Sequence, residues 1–277
     1  MKYHLSENEL KEMAKRMRLR GLEMAFQSGK KGAHIGPALS CMEIMAVLYG
    51  NIMNLDAEKP GDDERDRFIS SKAHSVLAQY NALHEIGFIS EEELGTFQAD
   101  DTIFGGHPIM NLQAGLEYTG GSLGMALSVG VGMALDAKRK GKKHRIYILL
   151  GDGELNEGSN WEAVMSAAHF GLDNLTMIID KNSLQYDGPT SEIMNIDNLQ
   201  RKFEAFNCKV TAVNGHDVQA LLNAFKETPE GCPYVVIAET VKGKGVSFME
   251  NVREWHHASL SQKQYEQAME EMREMQL

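Results

Sequence analysis

The chain has 277 residues, 43% of them hydrophobic and 24% charged, with a formal net charge of -11 at pH 7. It is long enough to bury a substantial core, and an acidic chain with no basic tract is a poor match for nucleic acid or an anionic membrane surface. No apolar run approaches the ~18 residues that cross a bilayer. The opening MKYHLSENELKEMAKRM lacks the apolar centre of a signal peptide, and the three cysteines, Cys41, Cys208 and Cys232, show no pairing pattern; a reducing, cytoplasmic setting is expected.

In chain order, residues 6–28 place Leu10, Met13, Met17, Leu22 and Met24 at helical spacing, and SGKKG ends that helix. LSCMEIMAVLYGNIM (39–53) predicts a second, largely buried helix. DRFISS (66–71) predicts a short strand, with a helix behind it over 75–86. The glycine-rich SLGMALSVGVGMALDAKRK predicts a single helix over 122–140 that packs closely on its neighbours. RIYILL (145–150) is a continuous apolar run, as in a strand buried on both faces. After a glycine-rich turn comes a helix with Trp161, Val164, Met165 and Ala168 on one face. NLTMIID (174–180), CKVTAV (208–213), a helix over 217–225 and YVVIAET (234–240) complete the series. Strand, helix, strand, repeated, predicts an α/β fold with a mostly parallel sheet flanked by helices. No repeat or linker divides the chain, so residues 1–277 read as one domain. From about residue 261 runs a charged helical tail whose Tyr265, Met269 and Met272 form an apolar stripe suited to core packing or subunit contact.

The chemistry concentrates in GDGELNEG (151–158) and DKNSLQYDG (180–188). Asp152 follows the strand 145–150 and Asn182 follows the strand 174–180. Ligands of parallel sheets sit beyond the carboxyl ends of strands. If these two strands are neighbours, a carboxylate and an amide oxygen reach one crevice, and both are hard donors for a small divalent cation. Gly151 and Gly153 allow close backbone approach, and the helix starting near Gly158 offers N–H groups; together these suit a magnesium ion bridging a diphosphate. Nucleotide alternatives fail. The third glycine of GDGELNEG falls two positions late for a dinucleotide fingerprint, GVGMAL (130–135) lies inside a helix pattern, and no phosphate loop of the GxxxxGK[ST] type is present.

These two segments resemble the thiamine diphosphate motif, and in their wording the transketolase family. GAHIGPALS (32–40), DRFISSKAH (66–74), GGHPIMNLQAGLEYTGGSLG (105–124) and VKGKGVSFMENVREWHHASL (241–260) resemble the same family in the same order. The resemblance implies a thiamine diphosphate-binding fold with Asp152, Asn182 and the Leu184 carbonyl as Mg2+ ligands. It implies that Gly153 lies against the diphosphate, that Gly121 and Leu123 meet the aminopyrimidine, and that Glu157 links two cofactor sites across an interface between subunits. His74 and His256 would contact the diphosphate, and His107 would hold the donor's first hydroxyl. His34 and His256 would assist proton transfer at the third hydroxyl, a role suited to imidazole, which titrates near neutrality. Ala33 departs mildly from the family pattern, and His257 competes with its neighbour His256 for the assigned role.

By the same resemblance, the glutamate that meets the pyrimidine belongs to a second domain, for which nothing after residue 265 leaves room. The expectation is therefore the N-terminal subunit of a split transketolase, active only with a C-terminal partner subunit in a heterotetramer. It would transfer a glycolaldehyde unit from a ketose (phosphate) donor to an aldose acceptor. The alternatives are a specialised split transketolase for a sulfonated or branched ketose phosphate, the alpha subunit of a 2-oxo acid dehydrogenase, a 1-deoxyxylulose-phosphate synthase, and a non-catalytic subunit that merely retains the fold.

Overall fold

A computed structural model describes residues 3–275. Five strands form one all-parallel sheet: β1 (Arg67–Ser70), β2 (Ile146–Gly151), β3 (Leu175–Lys181), β4 (Lys209–Asn214) and β5 (Tyr234–Glu239), in the spatial order β1-β2-β3-β5-β4. The continuous apolar runs are strands read on both faces. Tyr147, Leu149, Ile178 and Val236 enter one core, shared with the helices Glu7–Gln27, Met42–Val47, Val76–Glu85, Val218–Phe225 and Gln262–Glu274. The alternating residues Ile146, Ile148, Leu150, Met177, Ile179 and Val235 enter a second core, beneath Ala126–Arg139, Gly158–His169 and Leu199–Ala205. The edge strand β4 is largely exposed or half-buried, whereas β2 and β5 are buried along nearly their whole length.

The first helix starts where Ser6 and Glu9 form a reciprocal capping box, which satisfies two of the otherwise unpaired N-terminal amides. The charged tail forms the helix Gln262–Glu274. Met272 and Ala268 are buried in it, and Tyr265 stacks on Phe26 with ring centroids 4.3 Å apart, so its apolar stripe packs on this chain's own core.

Three expectations change. The buried helix over 39–53 is broken: Ile35–Leu39 ends at Ser40, Met42–Val47 follows, and Leu48–Ile52 continues as a wider turn. Ser40 Oγ lies 2.9 Å from the Pro37 carbonyl and 2.5 Å from Asp180, with one hydroxyl hydrogen to share between them, a local side-chain bond that competes with a continuous helix. The helix expected from 122 begins only at Ala126, because Gly121 and Gly124 take φ of +141° and +80°, outside the right-handed helical region. On Gly158–His169, Val164 is buried but Met165 stands 56% exposed; the buried face is carried by Asn160, Ala163, Val164 and Ala167.

Candidate active site

Parallel pairing puts the carboxyl ends of the strands on one rim. β2 and β3 are neighbours, with Gly151 opposite Asp180, so Asp152 and Asn182 leave the rim side by side, and both are buried. Asp152 accepts hydrogen bonds from the amides of Gly153, at 2.8 Å, and Ser183. Asn182 Oδ1 accepts from the Leu184 amide at 3.1 Å, while its Nδ2 donates to Asp180 at 3.3 Å, which fixes which end of the amide faces the rim. Lys242 Nζ donates to the Leu184 carbonyl at 2.9 Å; a cation already lies on the third oxygen of the expected metal set. One carboxylate, one amide oxygen and one carbonyl are hard donors that fit magnesium.

Eleven residues expected from sequence, His34, His74, His107, Gly121, Leu123, Asp152, Gly153, Glu157, Asn182, Leu184 and His256, all line one cleft of about 480 Å3. The histidines come from distant segments. Ala33 and Ala258 form an isolated antiparallel bridge, N···O 2.9 and 3.1 Å, which draws residue 34 against residues 256 and 257. The His34 ring centroid lies 5.5 Å from that of His74, 5.4 Å from His107, 5.5 Å from His256 and 4.5 Å from His257. His74 and His256 stack at 4.9 Å. Of the adjacent pair, His256 lines the cleft, while His257 is exposed behind His34. Ala33 itself is fully buried in this bridge.

Two buried lysines, Lys72 and Lys242, and the buried acids Glu154 and Asp180 belong to the same neighbourhood and were not singled out from sequence. Lys72 pairs with Asp180, which also accepts from Ser40 and Thr240. Glu154 accepts from the Gly124 amide at 2.9 Å, the Gly151 amide at 3.2 Å and the Ser71 hydroxyl, tying the Gly121–Gly124 turn to the ends of β1 and β2. Both lysines follow closely on strand ends, the one sequence signal that marks them.

The electrostatics of the cleft are set by burial and by crowding of like groups. Burial, then His257, His107 and Lys242, push the His34 imidazole down to about 3. Burial, then Lys242 and His34, do the same to His256. Burial and Lys72 lower Lys242 to about 8 against the pull of Asp152 and Asp180. Asp152 is raised to about 6 by burial and by the nearby Asp180. Burial, the neighbouring imidazoles and Lys242 thus draw His34 and His256 below the ordinary imidazole range in this cleft.

The family model described as transketolase, thiamine diphosphate binding domain, matches residues 10–274. The chain belongs to this family. Over 273 residues it is 42% identical to one of the subunits of an apulose-4-phosphate transketolase of Actinobacillus succinogenes, covering 98% of this chain and 99% of that relative. It is 37% identical to the 6-deoxy-6-sulfo-D-fructose transketolase subunit SqwG of a Clostridium species, covering 88% and 90%. Its fold overlays a transketolase from Campylobacter jejuni with a TM-score of 0.88 at 28% identity, covering 97% of this chain and 43% of that one. This transketolase domain therefore spans less than half of the solved transketolase, but nearly all of the Actinobacillus subunit.

Proposed function

We propose that this chain is the diphosphate-binding, N-terminal subunit of a split transketolase, transferring a two-carbon glycolaldehyde unit from a ketose (phosphate) to an aldose. One observation carries the reading: the Asp152–Asn182–Leu184 oxygens and the histidine cluster share one cleft, in a chain similar from end to end to a relative that is itself named as one subunit of a transketolase. Asp152, Asn182 and the Leu184 carbonyl would hold Mg2+. His74, His256 and Gly153 would meet the diphosphate, with Lys72 and Lys242 balancing its charge. Gly121 and Leu123 would border the pyrimidine, and the exposed Glu157 would reach across the interface between subunits. Thiamine diphosphate, when bound, supplies the nucleophilic carbon that carries the two-carbon unit. This chain's own residues then orient the sugar and move its proton: His107 holds the first hydroxyl of the donor, and His34 and His256 assist transfer of the proton of the third, one of the two accepting it.

The assembly proposed is two copies of each chain in symmetric halves, in the cytoplasm. A relative named for apulose-4-phosphate and another for 6-deoxy-6-sulfo-D-fructose support a second reading, an unusual sugar as donor. The family match leaves the 2-oxo acid dehydrogenase alternative unfavoured. Assaying glycolaldehyde transfer with the purified chain, with its C-terminal partner and with their mixture tests the proposal. Only the mixture is expected to turn over, and full activity from the isolated chain would defeat it.

A further inference from the structure

A buried charged cluster lies outside the cleft. Arg18 and Glu43 form a two-pronged ion pair, both contacts 2.6 Å, with Arg18 2% and Glu43 8% exposed. His216 joins them, its Nδ1 lying 3.0 Å from Glu43. Its Nε2 accepts the amide hydrogen of Val241 at 2.8 Å. A ring whose Nε2 accepts carries its proton on Nδ1, which therefore donates to Glu43. On the other side, Arg18 Nε donates to the Lys244 carbonyl at 3.4 Å, and the Gly243 amide donates to the Gly36 carbonyl at 3.0 Å. The cluster thus grips the backbone at Val241 and Lys244, on either side of Lys242. That lysine crosses into the cleft, where its ammonium sits 2.9 Å from the Leu184 carbonyl and 3.0 Å from His256 Nδ1.

A buried ion pair contributes little net stability over an apolar filling, so stability alone does not account for two buried charges joined by a half-buried imidazole at this position. We propose that Arg18, Glu43 and His216 are positioning residues for Lys242, holding its ammonium where a bound diphosphate and the Leu184 carbonyl meet. The inference rests on the functional reading above. His216 acts through the Val241 amide, and the freedom it removes is that of one short turn rather than of a whole helix.

The test is a double-mutant cycle on the full chain in complex with its C-terminal partner, with thiamine diphosphate affinity measured by calorimetry in the presence of magnesium. H216L removes both hydrogen bonds; H216Q keeps one acceptor and one donor on a single amide. Outer partners that orient metal ligands are typically worth roughly 10–100-fold in metal affinity or activity, and the low end of that scale applies here. H216L is expected to weaken binding about tenfold or more in the wild-type background, to have little effect in a K242M background, and to be largely rescued by H216Q. Equal losses in both backgrounds, or unchanged affinity in H216L, would overturn the positioning role while leaving the cofactor reading intact. Should H216L not fold, the same comparison is made with H216Q, whose shorter reach predicts a smaller loss that again vanishes with K242M. Absence of binding by the wild-type chain together with its C-terminal partner would instead remove the cofactor reading, and the proposal with it.

Discussion

At the scale of single residues, the site is a problem in desolvated charge. Asp152 is a buried carboxylate raised to about 6 by burial and by Asp180, an uncomfortable state that a divalent cation relieves. Asp152→Ala is therefore expected to lower magnesium-dependent thiamine diphosphate affinity of the complex with its partner chain by about tenfold or more, measured by calorimetry with and without magnesium; a mere scaffold would show no loss. Glu43 is the opposite case. Burial alone would raise it, but the Arg18 charge and the hydrogen bonds from His216 and Arg18 hold it at about 2, below its ordinary 4.5. A depressed acid stabilises the fold fully above its ordinary range and loses that contribution as pH falls. The urea-unfolding difference between wild type and Glu43→Gln should be constant above about pH 4.5 and shrink toward pH 2. A difference independent of pH would contradict this assignment.

At the scale of elements, the cleft depends on how strands end and how loops return. Gly121–Gly124 delays the helix Ala126–Arg139, and Glu154 pins that delay through the Gly124 amide. The helix Gln262–Glu274 packs on Glu7–Gln27, away from the cleft: Met272 is fully buried, and Lys15 Nζ donates to the carbonyls of Arg273 and Met275 at 3.0 and 2.8 Å. Met272→Ala should cost about 2–5 kcal/mol of unfolding free energy, as for a large-to-small change in a packed core. Denaturant melts would show this, whereas the value for a surface helix would stay within about 0.5 kcal/mol.

At the scale of the whole molecule, an apolar surface remains beside the site. Leu123 and Tyr186 line the cleft and are themselves exposed, and Met125, Val129 and Met165 stand 52%, 39% and 56% exposed on adjoining segments. An interface between subunits would cover such residues. Met165→Asp is expected to weaken association with the partner chain or with a second copy, seen by sedimentation, without lowering the thermal midpoint of the chain alone. A lower midpoint with unchanged association would argue against the interface.

The amino-acid sequence by itself determined the alternation of strand and helix, the buried core strands, and the placement of Asp152 and Asn182 at strand ends. These are local facts: hydrophobic period and glycine position act over a few neighbours, and a parallel sheet turns strand ends into a binding rim. Tertiary structure alone decided the rest. His34 meets His256 because Ala33 bridges Ala258, and Lys72, Asp180 and Lys242 lose their water only through packing of distant segments. In sequence those lysines resemble any solvated loop lysine. The break at Ser40 was equally hidden, since the partner of its hydroxyl, Asp180, lies 140 residues away on β3. Contacts between residues far apart in the chain, and the loss of solvent they bring, set the charge states on which this site depends.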